Sequence, residues 1–334
     1  MLWFFNAKSV SFRSIYANPE MVHRMTFYSL DVSLYPQLDE LLRKQLELTP
    51  RHAGFFEKRF STCSAEHLAT ANLLSGQILS LASGETLSQM LSDYDWLCDM
   101  MIDEEAHFRR SGKYRLETFE DAVREVYSDD VFMGRYINGL LLTQVWWANH
   151  TDVFCFFLSG FLNKNKPGYK HLEIGPGHGL FLYQAAADTA CQYVEAWDVA
   201  AQSIASTRQA LTELNTRRMP ELKIQDLFEA EEFKSCFDSI VFSEVLEHLD
   251  RPSDALSKLR DLLTDDGRMF INMPVNSPAP DHLFLLSRPE EVIDFVTDHG
   301  LKVEDFRFEP QTNSTLEKAR KWDLTISCAI IVTR

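Results

Sequence analysis

Apolar residues in the first half of the chain recur at helical spacing. Leu38, Leu41, Leu42 and Leu46 predict one amphipathic helix, Leu74, Ile78 and Leu81 a second, and Leu87, Met90, Leu91 and Trp96 a third. Asp121 to Tyr127 and Tyr136 to His150 continue that period, and no alternating strand pattern of any length occurs between Pro36 and Leu162. The most apolar stretch, Ile137 to Leu162, is interrupted by Asn138, Asn149, His150 and Asp152, so it reads as buried helix and not as a membrane span. The first thirty residues take no assignment, and Met1 to Phe5 is too short an apolar run, with no basic residues before it, for a signal peptide.

The pattern changes at Asn163-Lys-Asn-Lys-Pro-Gly168, where charge, proline and glycine coincide. Beyond it, short apolar runs alternate with helical segments. Strands are expected at Tyr169–Ile174, Tyr193–Trp197, Leu222–Gln225, Ser239–Phe242, Gly267–Asn272, Val303–Phe308 and Thr325–Thr333. Helices between most of the first six imply parallel strands joined by right-handed crossovers. A polar loop without a helical apolar pattern joins the last two, which suits an antiparallel pair. The expected fold is therefore α/β, a Rossmann-like doubly wound seven-stranded sheet with a C-terminal antiparallel hairpin, in a domain spanning 166–334. An all-helical cap, 1–165, precedes it.

Composition narrows the function. A formal net charge of −16 over 334 residues argues against nucleic acid or an anionic membrane as the partner. A small molecule or another protein suits the chain better. Six scattered cysteines without a CxxC pair suggest neither a zinc site nor a disulfide framework, so no metal is expected and a reducing cytoplasm fits. Oligomeric state is not legible.

The chemistry concentrates after the first expected strand, in Glu173-Ile-Gly175-Pro-Gly177-His-Gly179. Glycines at alternate positions allow positive φ and close approach of a ligand to the main chain, and the following Leu180-Phe-Leu182 opens a helix whose free N–H groups face that ligand. Asp198 ends the second strand, where a carboxylate can accept from ribose hydroxyls or cap the next helix. Asp226 and Leu227 end the third, placed either to meet an adenine ring or simply to turn the chain. The fourth runs into Ser243-Glu-Val-Leu-Glu-His-Leu249.

In combination these segments resemble the class I methyltransferases that use S-adenosylmethionine, over roughly residues 166 to 334. The resemblance implies that Gly175, Gly177 and Gly179 lie along the cofactor's amino acid end, with Glu173 orienting the loop. Asp198 would hold the ribose, Asp226 and Leu227 the adenine, and Ser243 and Glu244 the wall nearest the sulfonium. Among catalytic candidates, His282 follows the fifth strand in Pro278-Ala-Pro-Asp-His282 and is the preferred base, while His248 sits beside Glu247 and orients its own loop in the simpler reading.

The helical half adds Tyr136, Asn138, Trp146 and Trp147. On one continuous helix Asn138 and Asn149 would share a face with Leu142 and Val145 and could line a pocket. Glu104-Glu-Ala-His107 has a Glu-x-x-His spacing, but without a second copy it reads as a solvated helix face. An aromatic helical half joined to this cofactor domain is also similar to the azetidine-2-carboxylate synthases, which would make the cofactor its own substrate and release methylthioadenosine. A third reading is a non-catalytic cofactor-binding protein, against which the intact glycines and Asp198 count.

Overall fold

A computed structural model describes residues 34–230 and 234–334. The N-terminal run Met1 to Phe5 lies outside the described residues. The helical half contains α1 (Pro36–Leu48), α2 (Ala53–Phe60), α3 (Ala65–Leu81), α4 (Gly84–Ser111), α5 (Phe119–Ala122), α6 (Asp130–Trp146) and α7 (Ala148–Phe156). Local signals place several of these boundaries. The Ser64 hydroxyl accepts from the His67 N–H to cap α3, Asp129 accepts from the N–H groups of Val131 and Phe132 to cap α6, and Gly112 ends α4 in the left-handed conformation. Five-residue π-helical turns follow α5 at Val123–Tyr127 and α7 at Phe157–Phe161.

The second half contributes β1 (Tyr169–Ile174), α8 (Leu180–Ala187), β2 (Cys191–Asp198), α9 (Ala201–Glu213), β3 (Glu221–Ile224), β4 (Phe237–Ser243), α10 (Pro252–Leu262), β5 (Leu263–Val275), α11 (Pro289–Asp298), β6 (Lys302–Pro310), α12 (Leu316–Lys321) and β7 (Ile326–Thr333). The strands form one sheet in the order β3-β2-β1-β4-β5-β7-β6. β1 through β5 pair in parallel, and β7 enters between β5 and β6, antiparallel to both. All seven expected strands are present, and the last two do pair antiparallel. The order reverses between β1 and β4, so the loops leaving these neighbours flank the crevice at the carboxyl ends of the strands.

Two expectations need correction. The loop between β6 and β7 is not wholly irregular, because Thr315 caps the six-residue α12 there. Its apolar signal is the pair Leu316 and Ala319, too little to show as a period. The apolar run from Ile137 is not one helix either. Trp147 takes an extended conformation (φ −98, ψ 124), so α6 ends and α7 leaves in a new direction.

Both sheet faces are covered, which explains why the strands read as continuous apolar runs. On β7 the alternation separates the two sides: Cys328, Ile330 and Val332 join a core with Leu256, Leu259, Val292 and Val296 of α10 and α11, while Ala329 and Ile331 join the other. That second core runs without interruption from Leu38 of α1 through Trp146 and Phe154 to Phe181, Phe270 and Ile331. At its centre five phenylalanines meet. Phe154 and Phe157 each lie 4.7 Å from Phe181 of α8, and Phe157 and Phe161 lie 5.6 and 5.7 Å from Phe270 of β5. Ring pairs at these separations add to the stabilisation from buried area alone.

Phe157→Ala should therefore destabilise the protein by about 3–5 kcal/mol. Denaturant unfolding followed by tryptophan fluorescence and by far-UV circular dichroism should give coincident transitions for wild type and variant. Separate transitions would show that the helical half and the sheet do not depend on this contact.

Candidate functional site

β1 ends at Ile174, and the next residues reverse the chain. Gly175, Gly177 and Gly179 all have positive φ (65°, 49° and 76°). At Gly175 a β-carbon would also stand 2.8 Å from Val245 Cγ2, so the turn after β1 is packed against the turn after β4. The Thr207 hydroxyl donates to the Gly177 carbonyl at 2.9 Å, pinning the loop to α9. Glu173 is buried beneath it, and its Oε2 has no hydrogen-bond partner. Burial without a donor pushes its carboxyl well above the ordinary carboxylate range. An acceptor left open under a glycine turn fits the cationic amino end of S-adenosylmethionine, which would supply the missing donor.

The other cofactor candidates occupy the expected edge. Asp198 accepts from the Ala200 N–H (2.8 Å) and from the Ser203 hydroxyl (2.6 Å) at the start of α9. It is not the N-cap of α9, a place taken by Ala200 without a side-chain cap; it turns the chain two residues earlier, and the remaining lone pairs of its two oxygens stay available to hydroxyl donors. Asp226 Oδ1 accepts from the Phe228 N–H at 2.8 Å, and Leu227 is buried beside it. Ser243 and Glu244 are joined through Asn272 of β5, whose Nδ2 donates to Ser243 Oγ (3.2 Å) and to Glu244 Oε1 (2.7 Å). Glu244 has φ 54, unusual for a residue with a side chain, and the Asn272 carbonyl holds its N–H. The donors and open acceptors present therefore fit the cofactor.

A second cluster lies beside Glu244. His248 and His282 meet edge to face with ring centroids 4.8 Å apart. The carbonyl oxygen of Ser277 accepts from His282 Nδ1 at 2.6 Å, and His248 Nδ1 lies 3.2 Å from the Asp281 carbonyl oxygen and 3.4 Å from its Oδ2. Two tyrosines from the helical half reach the same aspartate: Tyr136 Oη donates to Oδ1 at 2.9 Å and Tyr127 Oη to Oδ2 at 3.2 Å. Glu247 is fully buried, and its carbonyl accepts from the N–H groups of Leu283 and Phe284, clamping the β5 loop to the β4 turn. Burial raises the Glu244 carboxyl to about 7 and, together with the charge of Glu244, pushes Glu247 further up. Burial also lowers His282 to about 4, with His248 adding to the effect.

Three of the four catalytic candidates, Tyr136, His248 and His282, therefore converge on Asp281. Asn138 does not join them. It lies on α6 and donates to Asp93 Oδ2 at 2.9 Å, where Arg135 and Gln89 also bind that buried carboxylate. Asn149 donates to Ser327 Oγ of β7, so the break at Trp147 puts the two amides on different surfaces and the shared face is not formed. Glu104 is likewise not solvated: it is buried and paired with Arg115 at 3.0 Å, because the chain after α4 folds back across it.

Sequence reasoning missed Asp281 and Tyr127. Asp281 had a signal in its adjacency to His282, whereas nothing local distinguishes Tyr127. His150 and His178 were also passed over. Trp147 packs edge to face on His150 (5.1 Å), and Thr143 and Gln144 lie within hydrogen-bond reach of its Nδ1. His150 is lowered to about 3 by burial and then by His178, which is itself lowered to about 4 by burial within the glycine turn.

Residues 172–269 match a family described as "Methyltransferase domain". The ubiquinone biosynthesis O-methyltransferase of Neisseria meningitidis serogroup C is 28% identical over 131 residues, which are 39% of this chain and 53% of that protein. The chain thus spans about half the length of the curated relatives it matches. Among solved structures, the [4+2]-cyclase SpnF matches 53% of this chain and 80% of its own at 13% identity and a TM-score of 0.44. The cyclopropane synthase MmaA2 from Mycobacterium tuberculosis matches 55% and 85% at 15% identity and 0.42. Residues 172–269 thus resemble a methyltransferase domain.

Two outcomes follow from this geometry. Gly175→Ala should weaken S-adenosylmethionine binding by at least about tenfold by calorimetry, since the left-handed conformation disfavours a side chain by roughly 1–2 kcal/mol before the Val245 contact is added. The second concerns acid. His171 and His282 are buried and His150 and His178 half-buried, and desolvation holds His150, His171, His178 and His282 at about 3, 3, 4 and 4, below the ordinary 6.5. Their stabilising effect is complete above pH 6.5 and is lost as pH falls toward 4, because the unfolded chain takes up protons that the folded one refuses. Between pH 7 and pH 5 the raised carboxyls of Glu173, Glu244 and Glu247 act in the opposite sense, so the histidine effect is read in urea midpoints as a difference from wild type. His150→Gln should gain stability relative to wild type as pH falls, by up to about 1.4 kcal/mol per pH unit. Parallel curves would contradict the neutral state of His150.

Proposed function

We propose that this chain is an S-adenosylmethionine-dependent methyltransferase acting on a small molecule, with residues 1–165 as a cap over the cofactor domain at 166–334. The observation that carries this reading is the junction at Asp281. It joins side chains from the helical half (Tyr127, Tyr136), the β4 turn (His248) and the β5 loop at the carboxyl end of the sheet, beside the glycine turn. An acceptor bound there would meet residues of the cap and of the cofactor domain together, which suits a compact substrate.

The reading assigns the ends of the cofactor to Glu173 with the glycine turn, to Asp198, and to Asp226 with Leu227. Bound in this cradle, S-adenosylmethionine supplies a methyl group on a positively charged sulfur. The chain's part is to align the acceptor with that carbon and, where the acceptor is a hydroxyl, to take its proton. His248 and His282 suit the second task, since Nδ1 of each faces an oxygen acceptor and Nε2 keeps its lone pair. The distant relative methylates an oxygen according to its name, which favours a hydroxyl acceptor here.

A second reading, cyclisation of the cofactor's own amino acid tail to azetidine-2-carboxylate, draws on a different observation. His150 and His178 are both held neutral, and Trp147 packs on His150. Uncharged aromatic walls near the amino acid end would keep the cofactor's amine neutral and desolvated, as an internal nucleophile requires. No described helix is long and apolar enough to cross a membrane, and the six cysteines are free, in keeping with the proposed cytoplasmic setting.

Incubation of the purified protein with S-adenosylmethionine alone, followed by mass analysis, separates the readings. Methyl transfer predicts no turnover until an acceptor is added and S-adenosylhomocysteine thereafter. Methylthioadenosine with a cyclic amino acid would instead establish the cyclase. Under methyl transfer, His282→Ala should lower kcat by about 10²-fold or more. Tyr136→Phe, which strips Asp281 Oδ1 of its donor, should lower stability by roughly 1–3 kcal/mol.

A further inference from the structure

We propose that Glu247, His248 and His282 hold a divalent transition-metal cation. One ligating atom from each of the three lies within 4.8 Å of the other two. Glu247 is fully buried, and neither of its carboxylate oxygens has a hydrogen-bond partner. A carboxylate so placed is costly to keep ionised without a counter-charge. The neighbouring acid Glu244 adds negative charge, and its Oε1 accepts from Asn272 Nδ2. A cation is the partner that meets both acids at once.

The histidines are prepared for the same role. His282 Nδ1 faces the Ser277 carbonyl, and His248 Nδ1 faces the carbonyl and carboxylate of Asp281. Metal-bound imidazoles are oriented in this way, with the outer nitrogen donating to a backbone oxygen or carboxylate and the inner lone pair directed at the ion. Asp281 is in turn fixed by Tyr127 and Tyr136, so the supporting hydrogen bonds extend into the helical half. Two imidazoles with one carboxylate suit Mn²⁺, Fe²⁺ or Zn²⁺ better than the all-oxygen preference of Ca²⁺ or Mg²⁺. Bonds of about 2.0–2.2 Å require the donors to draw closer than their present spacing. The Glu247 carboxylate would turn toward the imidazoles and exchange its contact with Glu244 for the ion.

Three protein ligands leave coordination positions open. On the methyl-transfer reading, to which this one consequence is tied, an acceptor oxygen would occupy such a position. His282 would then act as a ligand, and the ion would lower the pKa of the bound hydroxyl.

The test uses the full chain stripped with chelator and titrated with MnCl₂, free Mn²⁺ being read by electron paramagnetic resonance, with neither S-adenosylmethionine nor acceptor present. One ion per chain is expected. Glu247→Gln and His282→Ala should each weaken its binding at least about tenfold, and Asp281→Asn by about 10–100-fold, the range for loss of an orienting partner. His107→Ala, on α4, should leave affinity unchanged. Thermal melting checks folding: Mn²⁺ should raise the Tm of wild type and fail to raise that of folded Glu247→Gln. Absence of stoichiometric Mn²⁺ and of Zn²⁺ binding in a parallel calorimetric titration would overturn the site, and so would equal affinity in Glu247→Gln. Metal binding without methyl transfer to any acceptor would leave the site standing and count against the methyltransferase reading alone.

Discussion

The meeting of Phe154, Phe157 and Phe161 with Phe181 and Phe270 is the contact on which the rest of this architecture depends. Phe181 is the second residue of the helix that leaves the glycine turn, and Phe270 lies in the strand that leads to the loop of Asp281 and His282. The same rings that attach the helical half to the sheet therefore set the positions of the glycine turn and the β5 loop. Dense apolar packing tolerates little displacement. A shift of the α7 turn would be felt at the glycine turn and at the β5 loop together.

The polar junction at Asp281 completes what the aromatic contact begins. Apolar packing brings the helices to the sheet without selecting one rotation over its neighbours, whereas hydrogen bonds are directional. Tyr127 and Tyr136 reach the carboxylate of a residue whose backbone also meets His248. This arrangement assigns each partner a definite place. It also explains why unpaired polarity is tolerated nearby: Glu173 and Glu247 carry buried carboxylate oxygens without a hydrogen-bond partner, held open where a ligand's charge would compensate them.

Features carried by local chemistry were legible in the sequence. The seven strands showed as apolar runs because both sheet faces are covered, and the glycine turn showed because positive φ at three positions restricts residue choice. What tertiary contact decides was not legible. Trp147 is a good helix residue by composition, yet the chain breaks there, and its neighbour Ala148 gives its N–H to the Thr312 hydroxyl in the loop before β7. Tyr127 and Asp281 are 154 positions apart and become partners only through the fold. His248 and His282 were found because both follow strands, the one placement rule that carries over from topology to chemistry.

The insertion of β7 between β5 and β6 has a consequence for how the protein is made. Ala329 and Ile331 project from that strand into the core that also holds Leu38, so the described helices complete their apolar contacts only once a strand far along the chain is in place. Until then the emerging chain exposes the phenylalanines of α7 and the open edge of β5, two surfaces that invite association with other chains. Folding of this protein is thus a late, long-range closure. Its yield in a cell should depend on protection of the nascent helical half more than on the intrinsic stability of any one helix.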